Sequence, residues 1–262
     1  CSARIPVYVL IVTLLFPHQP YFAASALAGA YALGIISALV AAWALKKTIL
    51  PGESAPLLLE LPAYKRPHLL NALAHTWEKA QIFLKQAGTI ILFISIILWI
   101  MSTYPKAEVP RGTPPEMAEK FQLEHSFAGR VGKAMEPVIK PLGYDWQIGI
   151  GILSSFAARE AIISGLSIVY GIGESGSENQ DLLIENLRQA KRDNGQPVFT
   201  LATCLSLLIF YVLAMQCLPT QAITKAETGS WKWAGFQLLY MSVLAYVASL
   251  TVYQGLQLFG VS

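Results

Sequence analysis

The segment QIGIGILSSFAAREAIISGLSIVY, residues 147–170, combines a membrane-spanning length with two charged residues at its centre. About twenty helical residues are enough to cross a hydrocarbon core of about 30 Å. Arg159 and Glu160 lie in the middle of this run, where a charged side chain costs roughly 2.5 to 3.5 kcal/mol on insertion scales. The segment therefore predicts a span that turns these charges toward a bundle interior, a partner or water.

Helical periodicity gives this predicted span two distinct faces. One face carries a polar stripe made of Glu160, Ser164 and Ser167. The other carries small residues at every fourth position, namely Ala157, Ala161 and Gly165. Small residues at this spacing let another helix backbone approach closely in lipid. The stripe favours a pathway through the membrane. The alternative is a structural role, in which Arg159 reaches the membrane surface or pairs with another group and Glu160 only balances its charge.

Composition places the chain among membrane proteins. Of its 262 residues, 54% are hydrophobic and 13% are charged, whereas about 25% of an ordinary soluble domain is charged. A net charge of +3 is too small to indicate nucleic-acid binding. The three cysteines, Cys1, Cys204 and Cys217, have neither disulfide nor zinc-site spacing, which leaves them as thiols. We interpret the start at Cys1, directly before an apolar run, as that of a fragment.

Apolar runs separated by polar, Pro-rich connections predict an all-α polytopic membrane protein with about five to six transmembrane helices. A partial span is expected at 5–16, and full spans at 22–45, 87–101, 147–170, 199–218 and 235–252. Amphipathic helices are expected at 67–85, at the membrane interface with Pro67 in the first turn, and at 125–143. Residues 171–197 are expected to be solvent-exposed, and 224–233 to form a connector.

Two further patterns concern packing and orientation. A second close-packing face is predicted in the 22–45 span from the spacing of Ala26, Ala30 and Gly34. Basic residues directly at span ends, namely Lys46, Lys47 and Lys85, favour a cytoplasmic location for the 46–85 segment.

The chemistry that the residues allow is cation binding. The sequence has no phosphate loop, zinc-protease motif or nucleophile elbow, so it argues against an enzyme. The candidate ligands are Glu160, Cys1 and Cys217, with Ser164 and Met215 as weaker candidates. Pro219 and its polar neighbours predict a helix break beside Met215 and Cys217, and such breaks often mark substrate sites in transporters. Carboxylate with thiolate or thioether suits a divalent transition metal better than sodium or magnesium.

Five stretches taken together resemble one known family. They are CSARIPVY at 1–8, GESAPLLLELPAYKRP at 52–67, HTWEKAQIFLKQAGTIIL at 75–92, FAAREAIISG at 156–165 and TKAETGSWKW at 224–233. In order and spacing they are similar to the membrane region of FeoB, the bacterial ferrous iron transporters. The resemblance implies that residues 1–60 hold the end of a first gate segment and the FeoB core, and that 61–262 hold a second gate segment and the C-terminal transmembrane helices.

The same resemblance implies a function and its partners. It implies Fe2+ as substrate, a multi-pass location in the inner membrane, no cofactor in this piece, and GTP regulation through a G domain missing from the chain. Family cysteines matching Cys1 and Cys217 are proposed iron ligands or gate thiols, and Glu160 lies in the family's A-x-[RK]-E motif. The implied partners are that G domain, membrane lipid, small Feo accessory proteins and a second copy of the chain.

Two rival functions stay open at this point. Gate segments also resemble those of nucleoside carriers, and a carrier of nucleosides or small solutes predicts stacking aromatic residues around a central cavity. A non-transporting membrane scaffold would instead dock a soluble partner through the helix at 67–85.

Overall fold

The structure is a computed structural model that describes residues 4–17, 19–49, 68–85, 89–105, 121–156, 159, 161–170, 180–192, 195–215 and 217–260. Within these residues the fold is all-α, as predicted. They contain no β-strand, and one isolated bridge joins Lys191 and Pro197.

The helices are numbered here in chain order. They are α1 (Ile5–Leu15), α2 (Pro20–Thr48), α3 (Leu69–Phe83), α4 (Thr89–Thr103), α5 (Phe127–Ile139), α6 (Trp146–Ser154), α7 (Ala161–Val169), α8 (Gln180–Gln189), α9 (Leu201–Leu213), α10 (Leu218–Thr228) and α11 (Trp231–Leu258). A short 3₁₀ helix, Lys140–Leu142, follows α5, and a further helical turn covers residues 121–125.

Two of the described helices are long and apolar enough to cross a membrane. They are α2, with 29 residues, and α11, with 28 residues. Large apolar side chains on the outer face of α2 are more than half exposed, namely Ile35, Leu39, Val40 and Trp43. An apolar surface of this kind is typical of a helix that faces lipid or another apolar partner.

The segment expected to be one central span folds as two antiparallel helices. Helices α6 and α7 have nine residues each, which is about 13 Å or half of a hydrocarbon core. Near the turn between them, the Ser154 hydroxyl donates to the Ala161 carbonyl at 3.1 Å. At the opposite end, the Tyr170 hydroxyl lies 3.4 Å from the Asp145 carboxylate. The prediction of a continuous span over 147–170 is therefore wrong, and this segment is a helical hairpin.

Small residues explain why the hairpin closes. A Cβ atom added to Gly165 would lie 2.6 Å from the Ser154 Oγ, and one added to Gly151 would lie 3.1 Å from the nearest Leu166 methyl carbon. Both glycines therefore lie where the two helices approach most closely. The small-residue face predicted from the sequence is used, at Gly165, for contact with the other half of the same segment.

Helix α9 lies at the centre of the bundle, packed against α1, α2 and α11. The Ser249 hydroxyl of α11 donates to the Ser206 carbonyl of α9 at 3.0 Å, and the Ser206 hydroxyl lies 3.3 Å from the Ser249 carbonyl. The Tyr144 hydroxyl lies 2.9 Å from the Ser206 hydroxyl, and all three residues are buried. Because these polar groups pair inside the bundle, they fix the register of α9 against α11.

The face of α2 predicted to pack closely does contact α9, but at an ordinary van der Waals distance. Ala30 is buried, and a Cβ atom on Gly34 would lie 3.7 Å from a methyl carbon of Val212 on α9. The amphipathic helix expected at 67–85 is present as α3, and its apolar residues Leu69 and Trp77 are exposed. The helix expected at 125–143 is also present, since α5 and the 3₁₀ turn end at Gly143 with φ +84°.

Three boundary predictions are wrong. The span expected at 199–218 is α9, with 13 residues, because the backbone becomes extended at Ala214. Residues 171–197 are not wholly exposed, because Leu183 and Leu187 on one face of α8 are fully buried in the core. The connector expected at 224–233 is mostly helical, since only Gly229 and Ser230 separate α10 from α11.

The bundle has two ends, which we call the lysine end and the hairpin end. At the lysine end, Lys46 and Lys47 close α2 near the start of α11, where Leu45 and Gln237 line one cavity. The hairpin end holds Asp145, Tyr170, α8 and the last turns of α11. Long side chains join its elements: Arg188 donates to Thr13 O at 2.7 Å, Arg192 to Gly143 O at 2.6 Å and Gln254 to Pro141 O at 2.9 Å.

Candidate functional site: the break between α9 and α10

The chain leaves helical conformation between α9 and α10. Ala214 has φ −68° and ψ 144°, and Cys217 has φ −137° and ψ 107°. Pro219 then occupies the first turn of α10. Backbone N–H groups in a first turn have no acceptor within the helix, so the N–H that proline lacks costs no hydrogen bond there. The break predicted from Pro219 is confirmed, and it exposes the last carbonyls of α9 to partners other than the helix itself.

The tip of the hairpin meets this break through Arg159. The side chain is 5% exposed, and its Nη1 donates to Tyr211 O at 3.2 Å while its Nη2 donates to Ala214 O at 2.8 Å. The Tyr211 carbonyl belongs to the last turn of α9, where the helix dipole concentrates partial negative charge. The buried guanidinium is therefore stabilised by backbone carbonyls at a helix end.

A second guanidinium reaches the same helix end. Arg4, which is half-buried just before α1, places its Nη1 3.4 Å from Val212 O. Arg4, Tyr8 and Cys217 all lie close enough to Arg159 to interact with its charge. Two cationic side chains from separate elements thus converge on one helix C-terminus.

The break also holds two of the sulfur atoms predicted as ligands. Met215 is buried, and the Gln221 amide nitrogen lies 3.4 Å from its Sδ. Cys217 is half-buried directly before α10, whereas Cys204 is buried inside the core. Met215 directly follows Ala214, whose carbonyl accepts from Arg159, and Cys217 lies close enough to interact with the Arg159 charge, whereas Cys204 lies apart from them in the core.

Of the other predicted ligands, the structure describes Ser164 alone. Ser164 is exposed on α7, while Ser167, predicted on the same stripe, is buried. Cys1 and Glu160 lie outside the described residues. In the part of the chain that the structure describes, no three His, Cys, Asp or Glu side chains gather as a metal site.

A cavity of about 320 Å³ borders the break. Its lining includes Arg4, Val212 and Leu213 on one side and Met241 and Leu244 of α11 on the other. Because Met241 and Leu244 belong to the middle of α11, the break lies near the midpoint of that long helix.

A second cavity, of about 510 Å³, opens at the hairpin end beside Asp145. Burial raises the pKa of the Asp145 carboxyl, against the hydrogen bond from the Ile148 N–H and the charge of Arg192. The lining of this cavity also includes Lys140 and Glu136. Since the lining carries charges of both signs, this cavity does not select a cation or an anion by charge alone.

An interrupted helix that faces a hairpin tip is typical of helical transporters, which bind substrates at such breaks. Residues 84–231 match the Gate family model, described as nucleoside recognition, and the chain belongs to that family. Residues 27–79 match a second model, described as the C terminus of ferrous iron transport protein B. The predicted segment boundary near residue 60 stays a prediction.

Curated proteins similar to this chain include FeoB proteins. The Fe(2+) transporter FeoB of Leptospira interrogans is 44% identical over 99% of this chain and 38% of its own length. FeoB of Leptospira biflexa is 43% identical over 97% of this chain and 37% of its own length. FeoB of Methanocaldococcus jannaschii is 34% identical over 96% of this chain and 35% of its own length.

The resemblance to FeoB drawn from the sequence is therefore confirmed. The chain spans little more than a third of the length of each of these relatives. No solved structure matches the chain.

Proposed function

We propose that this chain is the permease part of a ferrous iron uptake transporter, crossing the inner membrane several times. Its relatives carry the name Fe(2+) transporter FeoB. The observation that supports the proposal is the break between α9 and α10, where two carbonyls accept hydrogen bonds from Arg159 of the hairpin and the same break carries a thioether and a thiol. Irregular backbone at membrane depth is tolerated where it is buried or lines a cavity, and the break has both properties.

In this proposal Fe2+ sheds part of its hydration at a mixed oxygen and sulfur site. Cys217 offers a half-buried thiol, and Met215 offers a thioether already held in place by Gln221. Glu160, which follows Arg159 in the sequence, and Cys1 complete the proposed ligands, with Ser164 as an additional hydroxyl. Sulfur ligands favour a transition metal over magnesium or calcium.

Transport also needs a rearrangement and partners. The ion passes inward as the hairpin and the α9–α10 break change their contact, under GTP control through a G domain outside these residues. A relative from Porphyromonas gingivalis, 34% identical over 97% of this chain and 33% of its own length, is named a fusion of Fe(2+) transport protein A with FeoB. That fusion supports a small Feo protein as a partner.

The description of the Gate model favours a second candidate, a nucleoside carrier. A nucleoside site needs stacking aromatic faces and amide donors, whereas the break presents sulfur, carbonyl and guanidinium groups. Excess nucleoside should therefore leave Fe2+ uptake unchanged, and strong competition by nucleoside would favour the carrier.

The direct test is Fe2+ uptake by the protein as its own cell makes it, with membrane expression measured in parallel. Glu160→Gln should abolish uptake, and Cys217→Ser should lower it by roughly 10- to 100-fold, the range typical of losses around a metal site. Cys204→Ser is the matched control, because Cys204 lies in the core on α9 rather than at the break. Normal uptake by both Glu160→Gln and Cys217→Ser would remove the break from the iron path.

A further inference from the structure

Two guanidinium groups occupy backbone oxygens that an interrupted helix ordinarily offers to a cation. In transporters with broken helices, unwound carbonyls and half-helix C-termini coordinate the transported or coupled cation. Here Tyr211 O and Ala214 O accept hydrogen bonds from Arg159, and Val212 O accepts one from Arg4. The carbonyls therefore already hold positive charge, supplied by the protein itself.

A guanidinium stays charged in proteins, so it does not leave such a site as a neutral group. It leaves only if the element that carries it moves. Arg159 belongs to the hairpin tip and Arg4 to the start of α1, so neither is part of the helix whose carbonyls it contacts. Withdrawal of the tip from α9 would expose the carbonyls at the edge of the 320 Å³ cavity.

We propose that the carbonyl oxygens of Tyr211 and Ala214, which one guanidinium bridges, form part of a site for a divalent cation, and that Arg159 occupies this site until the hairpin withdraws from α9. Arg4 stays on Val212 O beside the site, because it belongs to a different element. The inference rests on the proposed function for the identity of the ion, Fe2+, and adds a carbonyl site and its built-in occupant.

The test compares cation binding by variants of the intact protein purified in detergent, with Fe2+ added under anaerobic conditions. Arg159→Gln removes one occupant and its charge, so Fe2+ should raise the melting temperature at a concentration at least about tenfold lower than in the unchanged protein. Arg159→Lys keeps a positive charge but offers one nitrogen in place of two, so its response to Fe2+ should lie between those of Arg159→Gln and the unchanged protein. Arg4→Gln, at a half-buried residue, should show a smaller shift in the same direction.

Arg188→Gln is the matched control, because Arg188 also donates to a carbonyl in the last turn of a helix, Thr13 O at 2.7 Å, but at an exposed position on the hairpin end. The inference is overturned if Arg159→Gln and Arg4→Gln lose stability without any gain in Fe2+ response, which is what a purely structural clamp predicts. An equal gain in Arg188→Gln would also overturn it.

Failure of this inference and failure of the proposed function are distinguishable. If Fe2+ uptake depends on Glu160 and Cys217 but Arg159→Gln gains no affinity, only the carbonyl site is wrong. If Arg159→Gln gains affinity for Fe2+ while uptake is insensitive to Glu160 and Cys217, the carbonyl site stands and the proposed iron path is wrong.

Discussion

Gly165 decides how closely the two helices of the hairpin approach, and this sets a prediction at the scale of one residue. A Cβ atom there would lie 2.6 Å from the Ser154 Oγ and 3.6 Å from the Gly151 Cα. Gly165→Val should therefore force α6 and α7 apart and destabilise the protein by about 1–3 kcal/mol, the usual cost of overpacking. The measurement is thermal unfolding in detergent.

Gly235→Val is the control for that substitution. Gly235 lies on α11, and a Cβ atom there meets nothing within 4 Å. It should leave the melting temperature close to that of the unchanged protein. Equal losses in the two variants would show that a β-branched residue in a helix, rather than the hairpin contact, causes the effect.

At the same scale, the residues of the site differ in how far the sequence reveals them. Pro219 locates the break beside Met215 and Cys217, because proline's effect on the backbone is local. The charge of Arg159 stands out in an apolar run, but its partners are backbone carbonyls of α9, more than fifty residues away. No residue pattern identifies a backbone carbonyl that lacks a partner within its own helix, so the contact of Arg4 with Val212 O could not be predicted from the sequence either.

At the scale of the element, the hairpin shows why a hydrophobic run does not define a topology. Residues 147–170 have the length and composition of one span, and the same length also supplies two half-spans joined by a short turn. What decides between them is the contact of Gly151 and Gly165 with the opposite helix, which is a tertiary fact. By contrast α2 and α11 are recognised from sequence, because a long helix needs only continuous apolar residues.

The pairing of α9 with α11 carries the prediction for this scale. Ser206→Ala and Ser249→Ala should each destabilise the protein, because each removes a buried hydroxyl that is bonded to a backbone carbonyl of the other helix. Interhelical polar contacts in a membrane protein couple by about 0.6 kcal/mol on average and by up to about 1.7 kcal/mol.

Unfolding of the single variants in detergent checks this. Thr251→Ala is the control, because the exposed Thr251 hydroxyl donates to Ala248 O within α11 itself and joins no second helix. It should cost less than either serine substitution. Serine variants that lose no more stability than Thr251→Ala would mean that these two bonds do not hold the helices in register.

At the scale of the whole molecule, the two ends of the bundle give the proposal a direction. Lys46 and Lys47 close α2 at the lysine end, and basic residues flush with a span end favour the cytoplasmic side. The hairpin end would then face away from the cytoplasm, with both ends of the hairpin and α8 on that side. The carbonyl site proposed at Tyr211 and Ala214 lies between these ends, at the α9–α10 break near the middle of α11.

Sidedness can be measured with single cysteines placed at three exposed lysines, in a background where Cys1 and Cys217 are replaced by Ser. Lys140→Cys and Lys191→Cys should react with a membrane-impermeant maleimide added to intact cells, because both positions line the cavity at the hairpin end. Lys47→Cys should react only after the membrane is permeabilised.

If residue 140 and residue 191 label from opposite sides, the 147–170 segment crosses the membrane once and the hairpin is wrong, since a re-entrant hairpin returns the chain to the side from which it entered. If both label only after permeabilisation while Lys47→Cys labels in intact cells, the hairpin stands and the orientation is reversed.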